Sequence, residues 1–270
     1  LQTLMTSNHT FYTYYDGNKN VRNFYKYTDC VSNDTSKVAL LYRCTLVSST
    51  WDQGKTWNQE HVWPQSLGGG DTSGGGADLH HIRPAEKGVN STRGNKPYGE
   101  STSKGFYEPA DHVKGDVARI ILYVYVRWDA AWGATDVTEV FESVDILLAW
   151  CEMDPVDTWE MGRNDAVQSI TGTRNVFVDY PEFAWLLFGK DHQGCDWTNF
   201  NIKPIDPKTM MNRRSAESTA EIAERVRKAR EIQKARLASE GIFCNASMNN
   251  RMIEKHCHLD SRCSNLLEKL

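Results

Sequence analysis

Three histidines and a glutamate lie close together in residues 58–100, and their side chains are well suited to chemistry. Glu60 directly precedes His61, and His80 and His81 follow a glycine-rich stretch. A neutral imidazole can take a proton from an attacking water, and carboxylate or amide oxygens hold a hard ion such as Mg²⁺. Such an ion stabilises the charge that develops when a phosphodiester is cleaved. Metal-assisted phosphodiester cleavage is therefore one hypothesis for this segment.

The spacing of these residues constrains how they could meet. Adjacent side chains on a strand point to opposite faces, so Glu60 and His61 share a site only if the strand twists locally. A hairpin followed by a helix could bring both to one phosphate together with an asparagine, either Asn90 or Asn95. Because a single histidine is more often a surface or core residue than a catalyst, a polar loop without catalytic function stays open as the alternative.

Two motifs in this segment resemble the signature of the bacterial endonuclease I family, which belongs to the ββα-metal (His-Me finger) nucleases. They read “WNQEHVWPQS” and “DLHHIRPAEKGVNSTRGNKPYGE”, and the likeness extends through later motifs over about residues 10–190. The family usually has a histidine at the position of Cys151, which is a departure in this chain. The resemblance implies an α+β fold, in which a mixed helical domain carries a ββα-metal motif.

The resemblance also implies roles for individual residues. His61 corresponds to the general base, and Glu60 and Asn90 correspond to the metal ligands. Asn95 is the alternative ligand, or else a residue that caps the helix or loop. The expected cofactor is Mg²⁺, with Mn²⁺ or Ca²⁺ as substitutes.

The activity implied by the resemblance is hydrolysis of DNA, and often of RNA, to products with 5′-phosphate and 3′-hydroxyl ends. Little sequence preference is expected, because such a site grips the backbone rather than base edges. We expect a monomer that uses no ATP and does not enter a membrane. Family members are commonly periplasmic or secreted, although the chain begins without a signal region. The alternative is a catalytically silent module that binds nucleic acid or associates with an AAA+ protein.

Several arginines are candidates for contacts with substrate phosphates, since a guanidinium matches phosphate oxygens. Arg83 and Arg93 lie in the histidine segment, and Arg163 and Arg174 lie in later motifs that match the family. For each of them, a salt bridge to a neighbouring acid is the competing interpretation. His80 and His81 are expected on the second strand of the hairpin, in core or supporting roles rather than as metal ligands.

Apolar periodicity predicts the elements that must position these residues. Six glycines in “LGGGDTSGGGAD” predict a loop, whereas residues 10–47 are helix or strand pieces that periodicity does not separate. Residues at helical spacing, such as Val117, Ile121 and Val124, predict one apolar face. The predicted helices read “DHVKGDVARIILYVYVRWDAAW”, “VTEVFESVDILLAWCEMD”, “TWEMGRNDAVQSITG” and “YPEFAWLLFG”. Most tryptophans, Trp57, Trp63 and Trp150 among them, are expected in the core.

Composition is that of a soluble globular protein, with 40% hydrophobic and 24% charged residues and no apolar run long enough for a transmembrane helix. The seven cysteines contain no CxxC pair, so a zinc ribbon is not expected. Cys30 and Cys44 could form a disulfide if the protein is exported. Thus residues 1–190 form the predicted nuclease domain, and residues 191–209 form a linker.

The C-terminal residues 210–270 differ from the rest of the chain. Residues 207–270 carry 13 Lys/Arg and 8 Asp/Glu, whereas the whole chain carries 31 and 35. A capping box at Ser218 and Glu221 predicts a long helix here, and the segment resembles the C-terminal helical lid of magnesium-chelatase-like AAA+ proteins. The “GKT” at residues 54–56 lacks the upstream glycine of a phosphate-binding loop, since Ser49 stands there. An ATP site is therefore not expected.

Overall fold

A computed structural model describes residues 2–6, 9–15, 17–132 and 137–189. The strands are β1 (Lys37–Leu40), β2 (Thr45–Ser48), β3 (Trp57–His61) and β4 (Ile82–Glu86). The helices are α1 (Gln2–Thr6), α2 (Tyr25–Thr28), α3 (Lys87–Arg93), α4 (Lys114–Trp132), α5 (Val144–Met153), α6 (Thr158–Thr171), α7 (Val176–Asp179) and α8 (Glu182–Phe188). The α+β fold class predicted from the sequence is confirmed.

The four predicted helices are present as α4, α5, α6 and α8. One of them is shorter than predicted, because α5 begins only after Ser143, whose side chain accepts a hydrogen bond from the backbone N–H of Ile146. Gly172 ends α6 in the left-handed conformation at φ 82°, which glycine adopts without a steric penalty. The predicted linker and C-terminal helix lie outside the described residues.

Two antiparallel hairpins, β1–β2 and β3–β4, lie where the apolar periodicity did not fully define the secondary structure. In the first, β1 pairs with β2 from Lys37 opposite Ser48 to Leu40 opposite Thr45. In the second, β3 pairs with β4 so that Glu60 is opposite Arg83 and His61 is opposite Ile82. The backbone N–H of Leu41 donates to the carbonyl of Pro84 at 2.8 Å, which joins the first hairpin to the edge of β4.

Helix α3 starts directly after β4, so the order strand, strand, helix positions the candidate residues of the segment 58–100. The prediction that His80 and His81 lie on the second strand is wrong. Both residues lie in a turn, and β4 begins only at Ile82. The backbone N–H groups of His81 and Ile82 donate to the carbonyl of Asp78, and this local turn keeps the two histidines out of the strand ladder.

Two apolar clusters hold these elements together. The larger surrounds α4, whose residues Val117, Ile121 and Val124 are fully buried as the periodicity predicts, and it includes Trp63 and Trp150. The smaller lies under the hairpins and includes Trp57, Ile82 and Tyr25. No helix in the described part of the chain has the length and apolar character needed to cross a membrane. None of the three cysteines described, Cys30, Cys44 and Cys151, is in a disulfide bond.

A buried ion pair cluster connects the second hairpin to α6. Asp29, completely buried, accepts hydrogen bonds from Arg83 Nε at 2.7 Å and Arg163 Nε at 3.0 Å. Burial raises the pKa of the Asp29 carboxyl, but the two guanidinium groups outweigh burial and leave that pKa below its usual value. One carboxylate is thus shared by two cations that come from different parts of the chain.

We expect Asp29→Asn to destabilise the protein by about 3–5 kcal/mol, because the substitution leaves two buried guanidinium groups without a counter-charge. Urea denaturation of parent and variant measures this difference. Asp34→Asn, at an exposed aspartate of the same region, is the matched control and should leave the denaturation midpoint nearly unchanged. Equal midpoints for Asp29→Asn and the parent would contradict the account of this cluster.

Candidate active site

His61 is the last residue of β3 and its imidazole is buried under the glycine-rich loop. Its Nε2 lies 3.1 Å from the backbone carbonyl oxygen of Asp71, and the ring is 5.1 Å from that of Tyr14. A carbonyl can only accept a hydrogen bond, so the proton lies on Nε2 and the lone pair on Nδ1. Burial lowers the pKa of His61 to about 4, against the opposing effect of the Asp71 and Gly76 carbonyls. The imidazole is therefore neutral at physiological pH and can act as a base.

The loop that covers His61 is held in place by His81. His81 Nδ1 donates to the carbonyl of Gly75 at 2.7 Å, and its Nε2 accepts from the backbone N–H of Trp63 at 2.9 Å. A Cβ at Gly76 would overlap the backbone carbonyl of Asp71, so glycine is required there. This histidine therefore links the loop to the end of β3, which is the supporting role predicted for it.

His80 also has a structural environment. Its Nε2 is 2.9 Å from the carbonyl of Thr173, and burial lowers its pKa to about 3, although Asp78 opposes the shift. Asp78 itself accepts hydrogen bonds from the Tyr123 hydroxyl at 2.8 Å and from Trp128 Nε1 at 3.1 Å. Arg127 Nε lies 3.2 Å from the same carboxylate. His80 and Asp78 thus connect the turn before β4 to helix α4.

Glu60 lies next to His61 in the sequence but contacts a different set of residues. Its Oε1 accepts from the Tyr42 hydroxyl at 2.5 Å and from Arg93 Nη1 at 2.9 Å. Burial raises the pKa of the Glu60 carboxyl, while Arg93 and the Tyr42 hydroxyl act in the opposite direction. Tyr42 adopts φ 79°, an uncommon conformation for a residue with a Cβ, and in this conformation its hydroxyl reaches Glu60.

Arg93, in the last turn of α3, braces the end of β3. Besides Glu60, its Nη1 donates to the carbonyl of His61 at 2.9 Å, and its Nη2 donates to the carbonyl of Val62 at 2.6 Å. The residue is 1% exposed. These contacts correspond to the salt-bridge interpretation of Arg93, and the predicted phosphate contact stays a prediction.

The two candidate asparagines occupy different environments. Asn90 lies on α3, and its Nδ2 donates to Asn58 Oδ1 at 2.8 Å. Asn58 and Glu60 are two residues apart on β3 and so share one face of the strand, and Asn90 and Arg93 are one helical turn apart. Asn95 lies in the exposed turn after α3. The structure thus joins Asn90, but not Asn95, to the strand face that carries Glu60.

The other arginines predicted to contact phosphate are all in ion pairs. Arg83 pairs with Asp29, and among the described residues its Nη atoms make no hydrogen bond. Arg163 also donates to the carbonyl of Leu79 at 2.7 Å. Arg174 pairs with Asp179 and Asp165, each at 2.6 Å. Among the described residues, Arg83 therefore keeps both Nη groups unused by its protein partner, whereas Arg174 uses all three of its nitrogens.

The side chains at the end of β3 suit a hard, oxygen-preferring ion. Among the described residues, the second oxygen of Glu60 and the amide oxygen of Asn90 accept no hydrogen bond. No group of three or more His, Cys, Asp or Glu side chains in the described ranges is arranged to hold a metal. Two protein oxygens with water and substrate oxygens completing the shell are typical of Mg²⁺, so these residues fit such an ion.

Sequence reasoning missed four residues of this site, and the reasons differ. Asn58 could have been found, because it lies two residues before Glu60 and must share its face. Asp71 contributes only a backbone carbonyl, so its side chain type carries no signal. Tyr42 and Tyr98 come from distant segments, and their hydroxyls meet at 2.6 Å only in the folded chain.

The chain is a nuclease, a hydrolase of phosphodiester bonds, as its similarity to known proteins shows. Residues 2–182 match the family described as Endonuclease I, and the chain belongs to that family. It is 35% identical over 203 residues to a protein of Bacillus subtilis (strain 168) named “Extracellular ribonuclease”, covering 66% of this chain and 69% of the relative. A protein of the same name from Bacillus amyloliquefaciens is 36% identical over 137 residues, which is 43% of this chain and 47% of the relative.

A second match covers the C-terminal residues. Residues 216–270 match the family described as “Magnesium chelatase, subunit ChlI C-terminal”. The resemblance of this segment predicted from the sequence is thereby confirmed. The residues concerned lie outside those that the structure describes.

The buried neutral histidines should make stability depend on pH. Burial lowers the pKa of His81 to about 3, whereas an unfolded histidine titrates near 6.5. Below pH 6.5 the unfolded state binds a proton that the folded state excludes, so the free energy of unfolding decreases as the pH falls. From pH 6 to pH 4 the free energy of unfolding falls for both proteins. We expect this fall to be about 2–3 kcal/mol smaller for His81→Asn than for the parent.

Urea denaturation at a series of pH values measures this dependence. Since His81→Asn also removes a hydrogen bond, the comparison concerns the change with pH rather than the stability at one pH. His112→Asn, at an exposed histidine, controls for the loss of a histidine in itself. If parent and His81→Asn lost stability in parallel over this range, His81 would not be held neutral.

Proposed function

We propose that this chain is a metal-dependent endonuclease that hydrolyses nucleic-acid phosphodiesters with little sequence preference, to 5′-phosphate and 3′-hydroxyl ends. The observation that carries the proposal is the environment of His61. Its Nε2 is fixed on the Asp71 carbonyl, its pKa is about 4, and it lies next to Glu60 at the end of β3. Strands β3 and β4 with α3 then form the ββα-metal motif.

In this proposal, Nδ1 of His61 takes a proton from a water molecule as the water oxygen attacks the phosphorus atom. The bond between phosphorus and the 3′ oxygen breaks, so the phosphate stays on the 5′ side of the downstream nucleotide. The Asp71 carbonyl keeps the imidazole in the required tautomer and orientation. Because β3 ends at His61, a phosphodiester lying across the strand end meets His61 on one face and Glu60 on the other.

Glu60 and Asn90 are the proposed ligands of the metal, which we take to be Mg²⁺ with Mn²⁺ or Ca²⁺ as substitutes. When bound, such an ion neutralises charge that develops on the phosphate and on the leaving oxygen. Arg93 holds Glu60 in place through Oε1 and leaves Oε2 for the ion. Arg83 is the preferred candidate for a phosphate contact, since its Nη atoms are not used by Asp29.

Both DNA and RNA are proposed as substrates. The names of the two Bacillus relatives describe ribonucleases, and they support RNA as a substrate of this chain. Contacts from His61, Glu60 and Arg83 would all go to phosphate or to water. None of these groups distinguishes a 2′-hydroxyl from a 2′-hydrogen. The word “extracellular” in both names supports the proposal that this chain is also exported.

Replacing His61 by alanine should abolish cleavage, because no other group takes the proton from water. We expect the rate to fall by about 10²–10⁴-fold, the usual contribution of a general base, while nucleic-acid binding stays nearly unchanged. Plasmid nicking and cleavage of a labelled RNA, with Mg²⁺ present, measure the rate. His112→Ala is the matched control at an exposed histidine. A His61→Ala protein that cleaves at the parent's rate would refute the assignment.

The two asparagines can be distinguished by the metal requirement. Asn90→Ala should raise the Mg²⁺ concentration for half-maximal cleavage by tenfold or more, since one of two protein ligands is lost. Asn95→Ala, in the exposed turn, should leave that concentration unchanged. Excess EDTA should stop cleavage by the parent. Undiminished activity in EDTA would overturn metal dependence, and the reverse order of the two variants would assign the ligand to Asn95.

The alternative, a catalytically silent module, predicts different experimental results. A silent module would bind nucleic acid but would show no cleavage with Mg²⁺, Mn²⁺ or Ca²⁺. The unused oxygens of Glu60 and Asn90 and the neutral imidazole of His61 support the enzymatic proposal. Absence of cleavage by the full chain under all three metals would favour the silent module.

A further inference from the structure

Exposed aromatic side chains in the described part of the protein are concentrated near the N-terminus. The large hydrophobic residues that remain exposed there are Phe11 (60%), Tyr15 (71%) and Tyr27 (50%). Isolated exposed apolar residues need no explanation. Tyr15 differs from the other two because a series of ring contacts joins it to His61.

The contacts from Tyr15 to His61 pass through one intermediate ring. Tyr15 packs edge-on against Tyr14, with ring centroids 4.8 Å apart and an interplanar angle of 84°. Tyr14 lies 5.1 Å from the imidazole of His61, and its hydroxyl donates to the carbonyl of Gln59 at 3.4 Å. The backbone N–H of Tyr14 also donates to the carbonyl of Thr72 in the glycine-rich loop at 3.2 Å. Tyr14 is thus fixed beside the proposed base, and Tyr15 extends from it into solvent.

Positive charge accompanies this aromatic pair. Between Asp16 and Asp29 the sequence carries Lys19, Arg22 and Lys26 and no acid. The backbone of Lys19 is tied to the same segment, since its carbonyl accepts from the N–H of Thr13 at 3.0 Å. The guanidinium of Arg22 lies over the ring of Trp51, 4.3 Å from its centroid. Lys19 and Arg22 therefore place positive charge in the segment that directly follows Tyr15 in the chain.

We propose that Tyr15, with Lys19 and Arg22, forms a stacking platform that binds an unpaired nucleobase of the substrate beside the catalytic site. This proposal rests on the proposed nuclease function and adds to it a preference for single-stranded over duplex nucleic acid. An exposed aromatic face stacks on any base, and nearby cations hold the connecting phosphates. In a duplex the base faces are covered by their neighbours, so only an unpaired nucleotide can use the platform. Stacking does not depend on base identity, which agrees with little sequence preference.

Binding is measured in excess EDTA, so that cleavage does not interfere, by fluorescence anisotropy of labelled oligonucleotides with the full chain. Tyr15→Ala should weaken binding of a single-stranded oligothymidine about 5- to 100-fold, the range given by base–aromatic stacking. Tyr15→Trp should restore it. Tyr27→Ala removes a tyrosine of comparable exposure that has no contact with Tyr14, and it should bind like the parent.

An oligonucleotide of the same length built from abasic nucleotides separates stacking from charge, because it keeps the phosphates and lacks the bases. The effect of Tyr15→Ala should disappear on this probe, whereas Lys19→Ala should weaken binding of both probes. An oligouridine of the same length tests whether RNA uses the platform as DNA does. A Tyr15→Ala protein that binds oligothymidine like the parent, or loses affinity equally for the abasic probe, would overturn the proposal.

Cleavage measurements distinguish failure of this proposal from failure of the nuclease function. With Mg²⁺ present, Tyr15→Ala should raise the KM for single strands with little change in kcat, and the preference for single strands over duplex should shrink. If the parent cleaves nucleic acid and this preference is unchanged in Tyr15→Ala, the platform is refuted and the nuclease function stands. If the parent does not cleave, the nuclease function fails, and the binding comparison still decides whether Tyr15 stacks on bases.

Discussion

The guanidinium of Arg93 is the interaction on which the candidate site depends. It joins the last turn of α3 to the end of β3 by donating to the carboxylate of Glu60 and to the carbonyls of His61 and Val62. The donors of a guanidinium lie on three nitrogens in a rigid plane, so they reach acceptors that the single nitrogen of a lysine could not span. The same contacts fix the strand end, the helix and the acid relative to one another. These contacts of Arg93 therefore set the position of β3, which carries Glu60 and His61, relative to α3, which carries Asn90.

Burial is the second constraint, and it acts differently on each titratable group. At His61 it favours the neutral imidazole that a base requires. At Glu60 it opposes the charged carboxylate, so that Arg93 and Tyr42 are needed to offset the cost. His80 and His81 are also kept neutral, and their hydrogen bonds go to backbone carbonyls. Desolvation thus keeps three neighbouring imidazoles neutral, of which one is suited to proton transfer.

Much of the architecture could be predicted from the sequence, because the signals were local. The apolar spacing of Val117, Ile121 and Val124 specified α4. The start of α5 was missed because the cap at Ser143 depends on a single side-chain bond that no apolar pattern reveals. His80 and His81 were expected in the second strand because “DLHHIRP” reads as extended. The turn at Asp78 competes successfully with the strand ladder for their backbone groups.

The sequence by itself determined the family, the strand–strand–helix order and the residues with suitable side chains, namely Glu60, His61 and Asn90. These follow from residue types and short spacings, which can be read along the chain without knowledge of its fold. Tertiary structure decided which groups meet. Tyr42, Asp71 and Arg93 reach the end of β3 only after the hairpin closes and α3 packs on it. Tyr15 is connected to His61 through the ring of Tyr14. Such contacts join residues far apart in the chain, and their energies depend on burial, which no local pattern of residue types encodes.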